Sequence, residues 1–228
     1  MRKHPALAAL AGLLAMSIAI PSAAQTGAAK GEWRHYAGDR GSTKYSALDQ
    51  IDRDNFSKLQ VAWRWQSADA FLEESVELRP GHFRGTPLMV GGVVYQPTGL
   101  SQVAALDAAT GETLWVHDPR SYERGSVVHG LVQIRGIEYW TDGKEERILI
   151  ATGGRQLVSL DSTTGKPDPA FGNGGFVDLT EDLGRNVNNN IGHSAPVITV
   201  GDTIVVGSLV FDFPTRNSNP PGHVRGYD

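Results

Sequence analysis

Three short stretches of this 228-residue chain hold side chains whose types and spacing can do chemistry. In His129-Gly-Leu-Val-Gln-Ile-Arg-Gly-Ile-Glu-Tyr-Trp140, Arg135 presents a planar guanidinium fork, which suits a carboxylate or another flat acceptor. A surface arginine in a β turn would read the same way. In Ile191-Gly-His-Ser-Ala-Pro196, His193 and Ser194 can donate hydrogen bonds, and a strand-initiating turn with no ligand explains them nearly as well. In Val206-Gly-Ser-Leu-Val-Phe-Asp212, Ser208 and Asp212 set a hydroxyl and a carboxylate four positions apart. A carboxylate oxygen is a donor that hard cations take, while taken alone Asp212 is an ordinary loop acid. No nucleotide-binding glycine motif, zinc motif or G-x-S-x-G elbow offers a competing chemistry.

The elements that must position these residues are written in a recurring turn. Ala105-Leu-Asp-Ala-Ala-Thr-Gly-Glu-Thr-Leu-Trp115 places Asp107, Thr110, Gly111 and Trp115 at offsets 0, 3, 4 and 8, between the apolar runs Val103–Leu106 and Thr113–Val116. Asp and Thr bond nearby backbone and Gly accepts a positive φ, so the segment predicts a hairpin. The turn recurs in Val158-Ser-Leu-Asp-Ser-Thr-Thr-Gly165, with Phe171 as its aromatic, and a third copy begins at Val224-Arg-Gly-Tyr-Asp228. The upstream halves match too: Thr86–Tyr95 and Ala195–Val205 each read as strand, glycine turn, strand. Asp-to-Asp spacings of 54 and 67 residues suit propeller blades with loop insertions, whose period is about 40–50 residues. A β sandwich with coincidental turns is the alternative. The expectation is an all-β propeller, with Asp52–Leu59 as one short helix capped by Asp52 or Asp54.

Residues 1–24 read as a signal peptide: basic Arg2-Lys3-His4, apolar Ala6–Ile20, and a small-residue cleavage site ending at Ala24. The apolar run is short for a membrane span of about 20 residues, so export to a periplasm is expected. There is no cysteine, hence neither a disulfide nor a lipoprotein acylation site. Cleavage leaves 19 Lys+Arg against 25 Asp+Glu, a net charge of −6, which argues against nucleic acid or an anionic membrane as partner. Gly makes up 27 of 228 residues, above the usual ~7% and in keeping with a turn-rich β protein. A propeller ring typically needs 4–8 blades, so residues 25–228 are expected to form the N-terminal part of one. That part holds a leading segment and two to three blades.

The start of the mature chain adds an ordered set of motifs: Trp33-Arg-His-Tyr-Ala-Gly-Asp39, Thr43-Lys-Tyr-Ser46, Leu48-Asp-Gln-Ile51 and Leu59-Gln-Val-Ala-Trp63. The last reads as a strand that completes the last blade of the ring. Together with the turns, they resemble the pyrroloquinoline quinone (PQQ)-dependent dehydrogenases, periplasmic quinoproteins that oxidise alcohols, glucose and polyols on an eight-bladed propeller. The resemblance runs from Trp33 to Asp228.

It implies PQQ and Ca²⁺ as cofactors, a sugar, polyol or alcohol as substrate, and a quinone or cytochrome as electron acceptor. Arg135-Gly-Ile-Glu-Tyr-Trp140 resembles the family's Arg-Gly-x-x-Tyr-Trp stretch, so Arg135 is implied to touch the cofactor. Where many alcohol-oxidising members carry adjacent cysteines, this chain has His129-Gly130. That departure points to the sugar and polyol branch, with His129 facing the cofactor plane. His193 and Ser194 are implied as donors to a PQQ carboxylate, Ser208 as a hydroxyl near PQQ, and Asp212 as a Ca²⁺ ligand. In Phe83-Arg-Gly-Thr-Pro87, Arg84 replaces an acidic residue common in the family, and as a cation it is suited to a cofactor carboxylate. The catalytic base is expected outside this chain, so these residues alone are expected to be inactive. The rival reading is a cofactor-free propeller serving as an envelope scaffold, against which the missing cysteine and the Arg-Gly-x-x-Tyr-Trp stretch both count.

Overall fold

A computed structural model describes residues 27–72, 82–124, 134–184, 191–210 and 220–228. The predicted signal peptide, His129 and Asp212 lie outside these residues.

The architecture is antiparallel β throughout. Strands β1 (Leu88–Val90), β2 (Val93–Pro97), β3 (Val103–Asp107) and β4 (Thr113–His117) form one meander in sequence order, and β5 (Glu138–Thr141), β6 (Glu146–Ala151), β7 (Gln156–Asp161) and β8 (Phe176–Asp178) form a second. A third sheet orders β10 (Ile198–Val200), β11 (Thr203–Val206) and β13 (Arg225–Tyr227). A short pair joins β9 (Ile191–Gly192) to β12 (Leu209–Val210). Each of the three larger sheets is a propeller blade, and β13 leads to Asp228 as β3 leads to Asp107, so the third copy keeps the strand that precedes its Asp.

Period-2 alternation explains why the middle blade is apolar almost without a break. On β6, Ile148 and Ile150 join a core shared with Leu88, Tyr95 and Val103 of the first blade. Leu149 and Ala151 point the other way, into a core shared with Ile204 and Val206 of the third. A strand covered on both faces loses the polar half of its alternation.

The turns obey their local chemistry. Gly91 and Gly92, at φ 59° and 81°, close the β1–β2 hairpin as a two-residue turn with both central residues at positive φ. In the β3–β4 turn, Asp107 Oδ1 accepts from the Ala109 and Thr110 N–H groups and the Thr110 hydroxyl at 2.8–3.0 Å. In the β7–β8 connection, Asp161 Oδ1 does the same for Thr164, at 2.7 and 2.8 Å.

These turns also lock blade to blade. The Trp63 indole N–H donates to the Ala108 carbonyl at 3.1 Å, and Trp115 to the Ser162 carbonyl at 3.0 Å, one register position after each turn's Asp. Trp63 thus sits where the outer strand of a preceding blade would lie, although residues 59–67 form no ladder among the described residues.

Two expectations are corrected. Asp52–Leu59 is not a helix but a turn followed by one 3₁₀ turn, Phe56–Lys58. Asp52 Oδ1 accepts from the Asp54 and Asn55 N–H groups, and Asn55 Oδ1 accepts from Asp52 N–H. Such side-chain bonds compete with helix, and Phe56, 68% exposed, gives a helix nothing to pack against. Phe171 does not lie on a return strand. That strand is β8, and Phe171 occupies the loop before it while still packing on the core between blades two and three.

The leading segment crosses the first strands of all three blades. Trp33 exchanges two backbone hydrogen bonds with Met89 of β1, at 2.8 and 2.9 Å. His35 Nδ1 lies 3.0 Å from Glu138 Oε1 of β5, and Arg40 donates to the Thr199 carbonyl of β10 at 2.8 Å.

Candidate functional site

Because the meanders are antiparallel, one end of the blades collects the turns between second and third strands together with the segments that lead from blade to blade. The Asp–Thr–Gly turns gather at the other end. Arg84, Arg135, His193, Ser194 and Ser208 all fall on the first end, although they are spread over 125 residues of sequence.

Main-chain hydrogen bonds tie two of these positions, Arg135 and Ser194, to each other and to Thr86. Thr86 N–H donates to the Arg135 carbonyl at 2.8 Å, and Arg135 N–H to the Ser194 carbonyl at 2.7 Å. The starts of three successive first strands are therefore strung side by side. The guanidinium of Arg135 stays exposed above them, as does Arg84 two residues before Thr86. Ser194 is half-buried. Ser208 is also half-buried, and its hydroxyl proton goes to the His223 carbonyl at 3.0 Å. With its proton given to that carbonyl, it offers a ligand its oxygen.

His193 is the least expected member. It is 3% exposed, and neither ring nitrogen has a hydrogen-bond partner. Burial, with Arg225 and Arg155 adding to it, pushes its pKa down to about 4, so the ring is neutral near pH 7. A neutral imidazole holds one donor and one acceptor, and leaving both unused in a buried place is costly.

Arg155 was not predicted from sequence. It ends the β6–β7 turn, where Thr152 N–H donates to the Gln156 carbonyl and Arg155 N–H to the Thr152 carbonyl. The β2–β3 turn repeats these bonds with Thr98, Ser101 and Gln102. Ser101 and Arg155 share a positive φ, 68° and 63°, so the two turns superpose in kind and differ in side chain. The Arg155 side chain is buried. Its Nη2 donates to the Arg124 carbonyl at 2.6 Å, while Nη1 has no partner. Burial holds its pKa below the usual arginine value, with Arg124 adding and Asp178 opposing. The signal available in the sequence is the paired turn itself: Thr98-Gly-Leu-Ser-Gln102 against Thr152-Gly-Gly-Arg-Gln156.

These features bear on PQQ, a flat quinone with three carboxylates. A buried arginine nitrogen and a buried imidazole, all without partners, sit on the end that carries Arg135 and Arg84. Donors and cations are what such a ligand needs, so the residues present fit it. For a metal the described residues offer no group of three His, Cys, Asp or Glu side chains, and Asp212, the predicted ligand, lies outside them.

Residues 33–228 match the family described as PQQ: Glucose/ethanol/alcohol dehydrogenase, beta-propeller domain. The chain is 29% identical to the glycerol dehydrogenase large subunit of Gluconobacter oxydans (strain 621H), over 88% of this chain and 27% of that protein. It is 31% identical to the quinate/shikimate dehydrogenase (quinone) of Acinetobacter baylyi (strain ATCC 33305 / BD413 / ADP1), over 86% of this chain and 26% of that one. The chain thus spans about a quarter of the length of these curated relatives. Among solved structures, a europium-containing methanol dehydrogenase superposes with TM-score 0.62 at 24% identity, covering 87% of this chain and 30% of the other. The quinohemoprotein alcohol dehydrogenase of Comamonas testosteroni gives 0.58 at 21%, covering 82% and 24%. At these identities the structural likeness is one of fold. On the family match, the chain belongs to the glucose/ethanol/alcohol dehydrogenase family of PQQ β-propellers.

Proposed function

We propose that this protein works as a PQQ- and Ca²⁺-dependent dehydrogenase that oxidises a sugar, polyol or alcohol and passes the electrons to a quinone or cytochrome. It is exported to the periplasm by cleavage after Ala24. The observation that carries the reading is the unpartnered, buried His193 ring on the same blade end as Arg135. The relatives, a glycerol dehydrogenase and a quinate/shikimate dehydrogenase (quinone) among them, support a polyol-like substrate.

The chain's residues have separable parts in this. Arg135 and Arg84 hold anionic groups at the open end of the site, with Arg135 fixed by its backbone bonds to Thr86 and Ser194. The neutral His193 donates one hydrogen bond without adding a second buried charge. Ser194 and Ser208 would line the approach, and His129 and Asp212, outside the described residues, would contribute a ring beside the cofactor and a carboxylate to Ca²⁺. When bound, PQQ accepts the two electrons from the substrate's CH–OH group.

The test is titration of PQQ into the purified protein with Ca²⁺ present, followed by tryptophan fluorescence. Saturable quenching that weakens with chelator is the expected result. Absence of saturable quenching would overturn the reading in favour of a cofactor-free propeller.

A further inference from the structure

The loop before β8 carries an Asn-Gly pair that the fold leaves free to react. Gly172, Asn173 and Gly174 are all exposed. Gly174 has a positive φ of 63°, and nothing lies within 4 Å of the place where its Cβ would stand. Its N–H makes no hydrogen bond among the described residues, and neither does the Asn173 side-chain amide. The nitrogen of Gly174 and the side-chain carbonyl carbon of Asn173 are therefore unrestrained, and no side chain at position 174 shields one from the other.

The flanks of the loop are held. Asn173 N–H donates to the Phe176 carbonyl at 2.8 Å and Gly175 N–H to the Phe171 carbonyl at 2.7 Å, while the Gly175 carbonyl accepts from Ser159 N–H of β7 at 3.1 Å. Phe171 packs on the core between blades two and three, and Phe176 on the core between blades one and two. The sequence has one other Asp-Gly or Asn-Gly pair, Asp142-Gly143, and that pair is restrained on both sides. Asp142 Oδ1 accepts from the Lys144 and Glu145 N–H groups at 2.8 and 2.7 Å, and Gly143 N–H donates to the Thr141 hydroxyl at 2.9 Å.

We propose that Asn173 is a site of spontaneous deamidation in the folded protein, and that its product loosens the outer edge of the second blade. The Gly174 nitrogen gives its proton to base and attacks the Asn173 side-chain carbonyl carbon. A bond forms between the two, the carbon–nitrogen bond of the side-chain amide breaks, and that nitrogen leaves as ammonia. Water then opens the five-membered imide at either carbonyl, giving aspartate or isoaspartate, and no cofactor is needed. Ring closure within one dipeptide is favoured when the reacting atoms can approach freely. Isoaspartate puts an extra methylene into the main chain between Asn173 and Gly174, while the bonds at Asn173 N–H and Gly175 clamp the segment around it. The strain then falls on Phe171 and Phe176. Either product also adds a carboxylate to a cavity already lined by Asp178 and Glu181.

The experiment holds purified wild type at neutral and mildly alkaline pH, both folded and in urea. Mass spectrometry with isoaspartate detection follows the peptides around Asn173 and Asp142. Asn173 is expected to convert in the folded protein about as fast as in the unfolded chain, and faster at alkaline pH. Asp142 is expected to isomerise in the unfolded chain and to be protected several-fold by folding. Retention of the Asn173 amide in the folded protein while the unfolded chain loses it overturns the site, and so does equal protection at both pairs. Aged wild type is expected to unfold at a midpoint lower by roughly 2–4 °C, the shift that a modest local loss produces in a domain of this length. Asn173→Gln aged in parallel is expected to keep its midpoint, and an equal decline in that variant would overturn the loosening.

Discussion

The indole of Trp115 occupies the space where a side chain on Gly165 would stand: a Cβ there would lie 2.5 Å from the ring. Gly111 has the same relation to Trp63, also at 2.5 Å. The seam between the first two blades, and the joint between the Trp63 segment and the first blade, therefore each hold an indole over a glycine, plus one N–H bond to the carbonyl beside the turn's Asp.

Gly165→Ala and Gly111→Ala are expected to destabilise by about 2–4 kcal/mol, combining a positive-φ penalty with overpacking. Gly143 also has positive φ, 91°, but open space around it. Gly143→Ala is expected to cost only the backbone share, about 1 kcal/mol. Thermal or denaturant unfolding of the three variants checks the contrast, and equal losses at all three sites would remove the indole from the explanation.

Asp69 is a buried carboxylate that accepts from the Thr98 hydroxyl at 2.7 Å, Gln102 Nε2 at 2.8 Å and Leu100 N–H at 3.1 Å. It fastens the segment after Trp63 to the β2–β3 turn. Asp69→Asn puts a donor where donors converge, and a loss of about 2–4 kcal/mol is expected. Asp69→Asn unfolding at the wild-type midpoint would contradict this.

Acid should weaken the fold through His193. The folded ring titrates near 4, while an unfolded histidine takes up its proton near 6.5. Between these values the unfolded chain holds more protons, so stability present above about pH 6.5 is lost as pH falls towards 4. His117, whose pKa burial also lowers, acts in the same direction. Unfolding midpoints measured from pH 7 to 4.5 should fall less steeply in His193→Gln than in wild type.

The pairing of His35 with Glu138 predicts an energetic link between the leading segment and the second blade. Glu138 Oε1 also accepts from the Thr199 hydroxyl at 3.2 Å, so one buried carboxylate joins three parts of the chain. Glu138→Ala is expected to cost about 2–3 kcal/mol. A double-mutant cycle with His35→Ala should return a coupling of at least about 0.5 kcal/mol, as contacting residues do. Strict additivity would argue that the pair is incidental.

What the sequence disclosed depended on how local each feature is. The Asp107 and Asp161 turns were legible because their hydrogen bonds close within four residues, and Gly91-Gly92 marks its hairpin for the same reason. The position of Arg135 was legible through its neighbours, since the residues that tie it, Thr86 and Ser194, begin recognisable strands. Arg155 was not, because its meaning lies in its burial and in the bond it gives the Arg124 carbonyl, which no spacing reveals. The Asp52–Leu59 helix failed for a different cause: polar side chains there satisfy the backbone themselves. Phe171 failed because a loop containing two prolines delays the return strand until Phe176.

The indole-over-glycine seam has a consequence for how such a protein grows. Beside the apolar faces that neighbours share, the joint of the first two blades is carried at their edges: a tryptophan, Trp115, on one outer strand and a glycine, Gly165, in the next Asp–Thr–Gly turn. Neither depends on what the opposite end of the blade displays. Copies of the unit can thus be duplicated in tandem and each can diverge at its second turn, as Ser101 and Arg155 have, without renegotiating the joint. The seam acts as a fixed coupling standard, under which new surfaces can be tried one blade at a time.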